Sequence, residues 1–261
     1  MRLLKLFIFL AGVQSNGALA WGVEGHHIVA AIAAANLSPA ARDQVRDLLG
    51  RDGAQAMVDV ATWADEIRSE APYTFTWHFV YIPVGSAGYD PPRDCRYGNC
   101  VIARIERFAE TVADVRAERG LRAQALRFLI HFVADLHQPL HAANNSDVGG
   151  RRFLVVLRKR TTNMHAVWDD YMPNAVGDNA EEVARRIGAS ISARQRQNWS
   201  GGSPVQWANE SFRLASKEIY AAPVAHRELP DDYPQQMKAI TVEQLSKAGI
   251  RLASLLNTAL Q

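Results

Sequence analysis

His131 and Asp135 stand four residues apart, which on a helix places them on one face and one turn from each other. Residues 121–133 have the dense apolar content of a helix packed on most sides. Pro139, which lacks a backbone donor, ends that helix and leaves His141 on the turn that follows. Two imidazoles and a carboxylate then reach one point. Such a donor set suits a divalent metal of borderline softness, zinc first. The same residues can instead hydrogen-bond one another inside a helical core, and this stretch alone leaves both readings open.

Other parts of the chain add donors. His165 and Asp169 repeat the four-residue spacing on a separate short segment, 164–171, that Pro173 should end. Asp65 lies near the end of a helical pattern over 57–67, three residues before Arg68. His78 follows Trp77 in an aromatic segment, 73–82, whose β-branched and aromatic content favours an extended conformation. Taken singly, Asp65 and His78 read as satisfied core polar groups. Collected, they allow more than one metal, since a catalytic zinc takes three protein ligands and keeps an open position.

The elements that must position these groups are mostly helices. Apolar periodicity predicts helices over 28–37, 40–49, 102–119, 180–193, 205–221 and 235–260. Residues 153–157, after the Gly149-Gly150 turn, make the best strand. No repeat or linker divides the chain, so the expected fold is mainly α, one compact domain with at most a small β ribbon.

Residues 1–20 read as a secretory signal peptide: Arg2 and Lys5, an apolar run over 6–13 too short to span a bilayer, and Ala18-Leu19-Ala20 as cleavage site. The domain would then run over 21–261, periplasmic or secreted, without a membrane anchor and as a monomer. The chain has 29 basic and 27 acidic residues, and removing Arg2 and Lys5 makes the two equal. That excludes a globally basic footprint for duplex nucleic acid. In an exported protein Cys95 and Cys100 read as one disulfide stapling a Pro- and Gly-rich loop. Cleavage would also free the Trp21 α-amine, with an ordinary pKa near 8. That amine can ligate a metal with its own carbonyl oxygen as chelate partner, and His26 could close the site. The bland alternative is a frayed, unused terminus.

The pieces Trp21-Gly22…Gly25-His26, Ala64-Asp65-Glu66…Arg68 and His78-Phe79 run in order along the chain. They continue with His131-x-x-x-Asp135-x-x-Gln138-Pro139-Leu140-His141 and His165-x-x-Trp168-Asp169, then Tyr171-Met172-Pro173. The set resembles the secreted zinc-dependent single-strand nucleases of the S1/P1 type, in the zinc phospholipase C superfamily. The resemblance implies three zinc ions: one on Asp65, His78, His131 and Asp135; a second on His141, His165 and Asp169; a third on the Trp21 amine and carbonyl, His26 and Asp135. His27, His137 and His226 match no ligand position. It further implies hydrolysis of single-stranded DNA and RNA to 5′-nucleotides, and removal of the phosphate from 3′-mononucleotides. Asp65 would orient the attacking water, Arg68 would neutralise a phosphate oxygen, and Phe79 would stack on a nucleobase.

The chain departs from the best-known members at two places. Tyr81 stands where they carry an acid, and Arg151 follows Gly149-Gly150 where they carry Asn. Base preference is therefore not carried over, and Arg151 could instead add phosphate affinity. One alternative is a zinc phospholipase C, although that branch uses Glu where this chain has Asp169 and lacks the Asp65 and His78-Phe79 pieces. The other is a non-catalytic exported zinc-binding protein, which would present closed four-ligand sites.

Overall fold

The computed structural model describes residues 21–51, 53–177, 179–221 and 228–261; the leader assigned to residues 1–20, and His226, lie outside them. The architecture is mainly helical. Helix α1 (Gly22–Ala35) starts directly at Trp21 and carries His26. Helix α2 (Pro39–Leu49) opens with the Ser38 hydroxyl accepting from the Ala41 amide and closes on Gly50 at φ 76°, the left-handed position that glycine reaches most cheaply. The two short helices α3 (Gly53–Asp59) and α4 (Trp63–Glu66) follow. Helix α5 (Val101–Ala113) lies against α6 (Arg119–His137), and α1 and α6 both pack on the long α9 (Lys238–Ala259). Between them come α7 (Ala180–Ser190) and α8 (Pro204–Leu214).

From Ala125 to His137, all of α6 except Arg127 is buried, which explains its dense apolar sequence. A helix enclosed on nearly every side can present His131 and Asp135 only to the interior.

Two small two-stranded sheets complete the fold. Strands β1 (Ile82–Pro83) and β2 (Ala143–Asn144) run parallel, with Ile82 opposite Ala143. Strands β3 (Leu154–Leu157) and β4 (Arg160–Asn163) form an antiparallel hairpin. Its two-residue turn places Arg158 and Lys159 at positive φ, as such a tight hairpin demands.

Four expectations need correction. Residues 73–82 are not one extended segment: Pro72–His78 is a 3-10 helix, and extended backbone begins at Phe79. Coiling that way packs a half-buried Trp77 against Phe108 and Phe128 while His78 turns inward. The pattern over 57–67 is broken between α3 and α4, which frees the Ala61 carbonyl for another partner. Pro173 does not end the 164–171 helix. A π-helical turn, Val167–Tyr171, intervenes, and Pro173 falls in the first turn of the helix Met172–Val176, where its missing N–H is tolerated. The helix expected over 102–119 stops at Ala113 and packs half-buried against α6.

Candidate metal centre

The residues singled out by type and spacing converge. On α6, Asp135 Oδ2 stands 2.9 Å from His78 Nδ1 and 3.2 Å from His131 Nε2. Asp65, at the end of α4, brings Oδ1 to 3.7 Å from His78 Nδ1 and Oδ2 to 3.6 Å from His131 Nε2. From α1, His26 Nε2 comes within 3.5 Å of Asp135 Oδ1, and its ring stacks on His131 with centroids 3.9 Å apart. Beside this cluster, His165 Nε2 lies 3.1 Å and His141 Nε2 3.9 Å from Asp169, with the two imidazoles stacked at 5.0 Å. Three donor trios therefore have ligand atoms within 4.8 Å of one another: His26 with His131 and Asp135, Asp65 with His78 and His131, and His141 with His165 and Asp169. All these residues are buried.

Backbone carbonyls orient three of the imidazoles. His131 Nδ1 donates to Ala61 O at 2.7 Å, His141 Nδ1 to His78 O at 3.0 Å and His165 Nδ1 to Gly149 O at 2.6 Å. A carbonyl only accepts, so Nδ1 carries a proton and each Nε2 is turned to the centre. Gln138 adds a fourth constraint. Its amide donates to Asp169 Oδ1 at 2.6 Å while its oxygen takes the Leu140 amide, locking the turn that delivers His141.

The donor set fits a metal. Asp65 Oδ2, Asp135 Oδ1, His141 Nε2, His165 Nε2 and Asp169 Oδ2 are all buried without a hydrogen-bond partner. An orphaned buried polar atom costs about 1–3 kcal/mol, and cations held within the trios would relieve that cost. The electrostatics agree. Burial pushes the His131 imidazole down, but Asp135 and Asp65 outweigh it and hold it at about 9, so without a metal a proton supplies the positive charge. His141 lies well below the ordinary imidazole range, through burial first and then His165 and Arg151, against the pull of Asp135. A neutral imidazole is the form that ligates.

Trp21 precedes α1 with its side chain fully buried and its carbonyl accepting the Gly25 amide at 3.0 Å. Space is tight there: a Cβ on Gly22 would meet the Asp169 carbonyl oxygen at 2.9 Å, and φ at Gly22 is +41°.

At the rim, Arg68 donates to Asp65 Oδ1 at 2.9 Å and keeps its side chain 21% exposed. Phe79 is only 4% exposed; Tyr81 lies parallel to it at 5.3 Å and the Arg151 guanidinium sits 4.6 Å from its centroid. Arg151 also donates to the Tyr81 hydroxyl at 3.0 Å. Burial raises the Tyr81 phenol, with Arg151 opposing, so it remains a neutral acceptor. The Cys95–Cys100 disulfide is formed, and Val101, the next residue, donates to the Phe79 carbonyl at 3.0 Å. The stapled loop thus holds the strand that carries Phe79.

The remaining described histidines stand apart from the trios. His27 lines a cavity of about 910 Å³ between α1, α3 and α7 that contains none of the trio residues. His137 is enclosed with Arg251. Gln138 stands in the quoted motif and Gly149 in the turn before the strand, but no orienting role for them or for Ala61 follows from the sequence. A backbone carbonyl leaves no trace in residue type, and only Gln138 had a signal, its place between His137 and Pro139.

A mainly helical fold enclosing adjacent His/Asp trios defines a class, and the chain belongs to the S1/P1 nuclease family, whose model matches residues 21–261. It is thereby a nuclease, a hydrolase of phosphoric ester bonds. Among its relatives, Nuclease P1 of Penicillium citrinum is 30% identical across 91% of this chain and 97% of its own length. Endonuclease 4 of Arabidopsis thaliana is 30% identical, over 93% of this chain and 90% of its own. Nuclease S1 of Aspergillus oryzae is 28% identical over 91% of each.

Proposed function

We propose that the chain is an exported zinc nuclease that cleaves single-stranded DNA and RNA to 5′-nucleotides and removes the phosphate from 3′-mononucleotides. Asp65, His78, His131 and Asp135 would hold one zinc, and His141, His165 and Asp169 a second. The Trp21 amine and carbonyl, with His26 and Asp135, would hold a third. The observation that carries this reading is the set of buried, unpartnered donor atoms on the residues of the three trios. Bound zinc would supply Lewis acidity, lowering the pKa of a bound water towards about 7 and stabilising a leaving oxyanion.

The chain's own residues do the rest. Asp65, with Oδ2 free of hydrogen bonds, orients the attacking water and accepts its proton. Arg68 spends one N–H on Asp65 and keeps others for a phosphate oxygen. Phe79 supplies a face for a base once the Arg151 side chain swings off its ring, and the displaced guanidinium meets the phosphodiester. Stacking tolerates any base but needs it unpaired, so single strands are preferred without a basic groove. Release from a leader at residues 1–20 frees the Trp21 amine, and the disulfide suits an oxidising compartment.

The test is metal analysis of protein beginning at Trp21, paired with hydrolysis of a single-stranded oligonucleotide, a 3′-mononucleotide and phosphatidylcholine. Three zinc ions per chain and turnover of the first two substrates are expected. Fewer than two metals, or turnover of the lipid alone, would sink the proposal.

A further inference from the structure

The ring proposed to take a base, Phe79, is nearly closed off, but the aromatic ring next to it is open. Phe75 is 40% exposed, meets the Phe79 ring at 5.5 Å and 60°, and has the Arg68 guanidinium 5.0 Å from its centroid. Tyr73 is more exposed at 69%, but it leans on Trp77, whose further ring contacts are with Phe108 and Phe128 rather than with the metal centre. Phe75 therefore joins the proposed phosphate-binding arginine to the proposed base slot.

Its placement follows from the 3-10 helix. Pro72 opens that helix, and the i to i+3 repeat puts Phe75 directly before the inward-facing His78. Arg68 is held by Asp65 on one side and lies over Phe75 on the other, so the ring is braced before any ligand arrives. A braced aromatic face gains stacking energy without the cost of being ordered on binding.

We propose that Phe75 is a second base platform. It takes the unpaired base neighbouring the one on Phe79, with the phosphate between them on Arg68. This rests on the single-strand nuclease reading above and deepens it: full binding needs two adjacent unpaired bases, and a mononucleotide leaves Phe75 unused. Stacking on one aromatic is worth about 1–3 kcal/mol, which corresponds to roughly 5- to 150-fold in affinity.

The experiment compares wild type, Phe75→Leu and Phe75→Trp on a single-stranded oligonucleotide and on a 3′-mononucleotide. Fluorescence anisotropy with a hydrolysis-resistant phosphorothioate oligonucleotide reads binding alone. In Phe75→Leu the ratio of kcat/KM for the oligonucleotide over the mononucleotide should fall about 5-fold or more, through KM, and anisotropy affinity should weaken likewise. Phe75→Trp should restore both. Because the readout is a ratio, a loss of folded enzyme cancels from it. An unchanged ratio in Phe75→Leu, with the wild type cleaving the oligonucleotide, removes the platform and leaves the nuclease reading standing. A wild type that hydrolyses neither substrate removes both.

Discussion

Asp65 is the residue on which the proposed metal binding and the proposed chemistry would meet. One of its oxygens accepts from Arg68 at 2.9 Å, and the other lies 3.6 Å from His131 with no hydrogen bond. Asn has nearly the same volume but replaces that free acceptor by an amide donor facing imidazole nitrogens, and it removes the charge. Asp65→Asn should therefore lower kcat by about 100-fold or more while the melting temperature stays close to wild type. Oligonucleotide turnover at the wild-type rate would take Asp65 out of the mechanism. At this scale much of the centre was legible, because few side chains offer metal-ligating atoms and a four-residue spacing on a helix survives in the sequence. What spacing cannot show is which atom faces inward. The carbonyls of Ala61, His78 and Gly149 decide that, and every residue has a carbonyl. Nor could it show that Arg151 covers Phe79, since this depends on where the loop after Gly150 turns.

Among the elements, long amphipathic or fully apolar segments were readable and short irregular ones were not. Helices α1, α2, α6 and α9 bury faces with helical periodicity, whereas the 3-10 helix at Pro72–His78 and the π turn at Val167–Tyr171 follow from tertiary demands on His78 and Asp169. The end of α6 shows how an element is fixed from behind. His137 Nδ1 donates to Val133 O at 2.7 Å, and its Nε2 accepts from Arg251 at 2.9 Å. Arg251 also grips the Glu210 carboxylate through two bonds, at 2.9 and 2.8 Å, tying α9 to α8. Gln244 donates to the His137 carbonyl at 2.8 Å. Burial, then Arg251, drives the His137 pKa well below 6.5, with the bond to Val133 opposing. The folded chain thus keeps His137 neutral, while the unfolded chain protonates it near its ordinary value. This contribution is complete above about pH 6.5 and is lost as pH falls, by up to ~1.4 kcal/mol per unit. In His137→Gln, the decline of unfolding free energy between about pH 6.5 and 5 should be shallower by about that slope. Parallel declines in urea titrations of the two proteins would show that His137 titrates as it does in water.

On the scale of the whole molecule, the donor trios draw on residues from His26 to Asp169, so closing the centre ties α1, α4, α6 and the segment after β4 into one body. The first of these is the most exacting. Trp21 is fully buried at the mouth of α1, its carbonyl holds the first helical bond, and Gly22 has room only for hydrogen against the Asp169 backbone. A chain that begins at Trp21 would present an amine, which loses its proton near pH 8 and then has a lone pair to donate. One residue more turns that nitrogen into an amide, whose lone pair is delocalised and whose substituent must find space inside the fold. Protein released from a cleavable fusion at Trp21, compared with the same protein bearing one added alanine, separates these cases. The extended form should hold about one metal fewer per chain and lose most of its turnover, while circular dichroism of the two metal-free proteins remains alike. Equal metal content in the two would exclude the terminal amine as a ligand and leave the remaining donors to hold whatever ions are found.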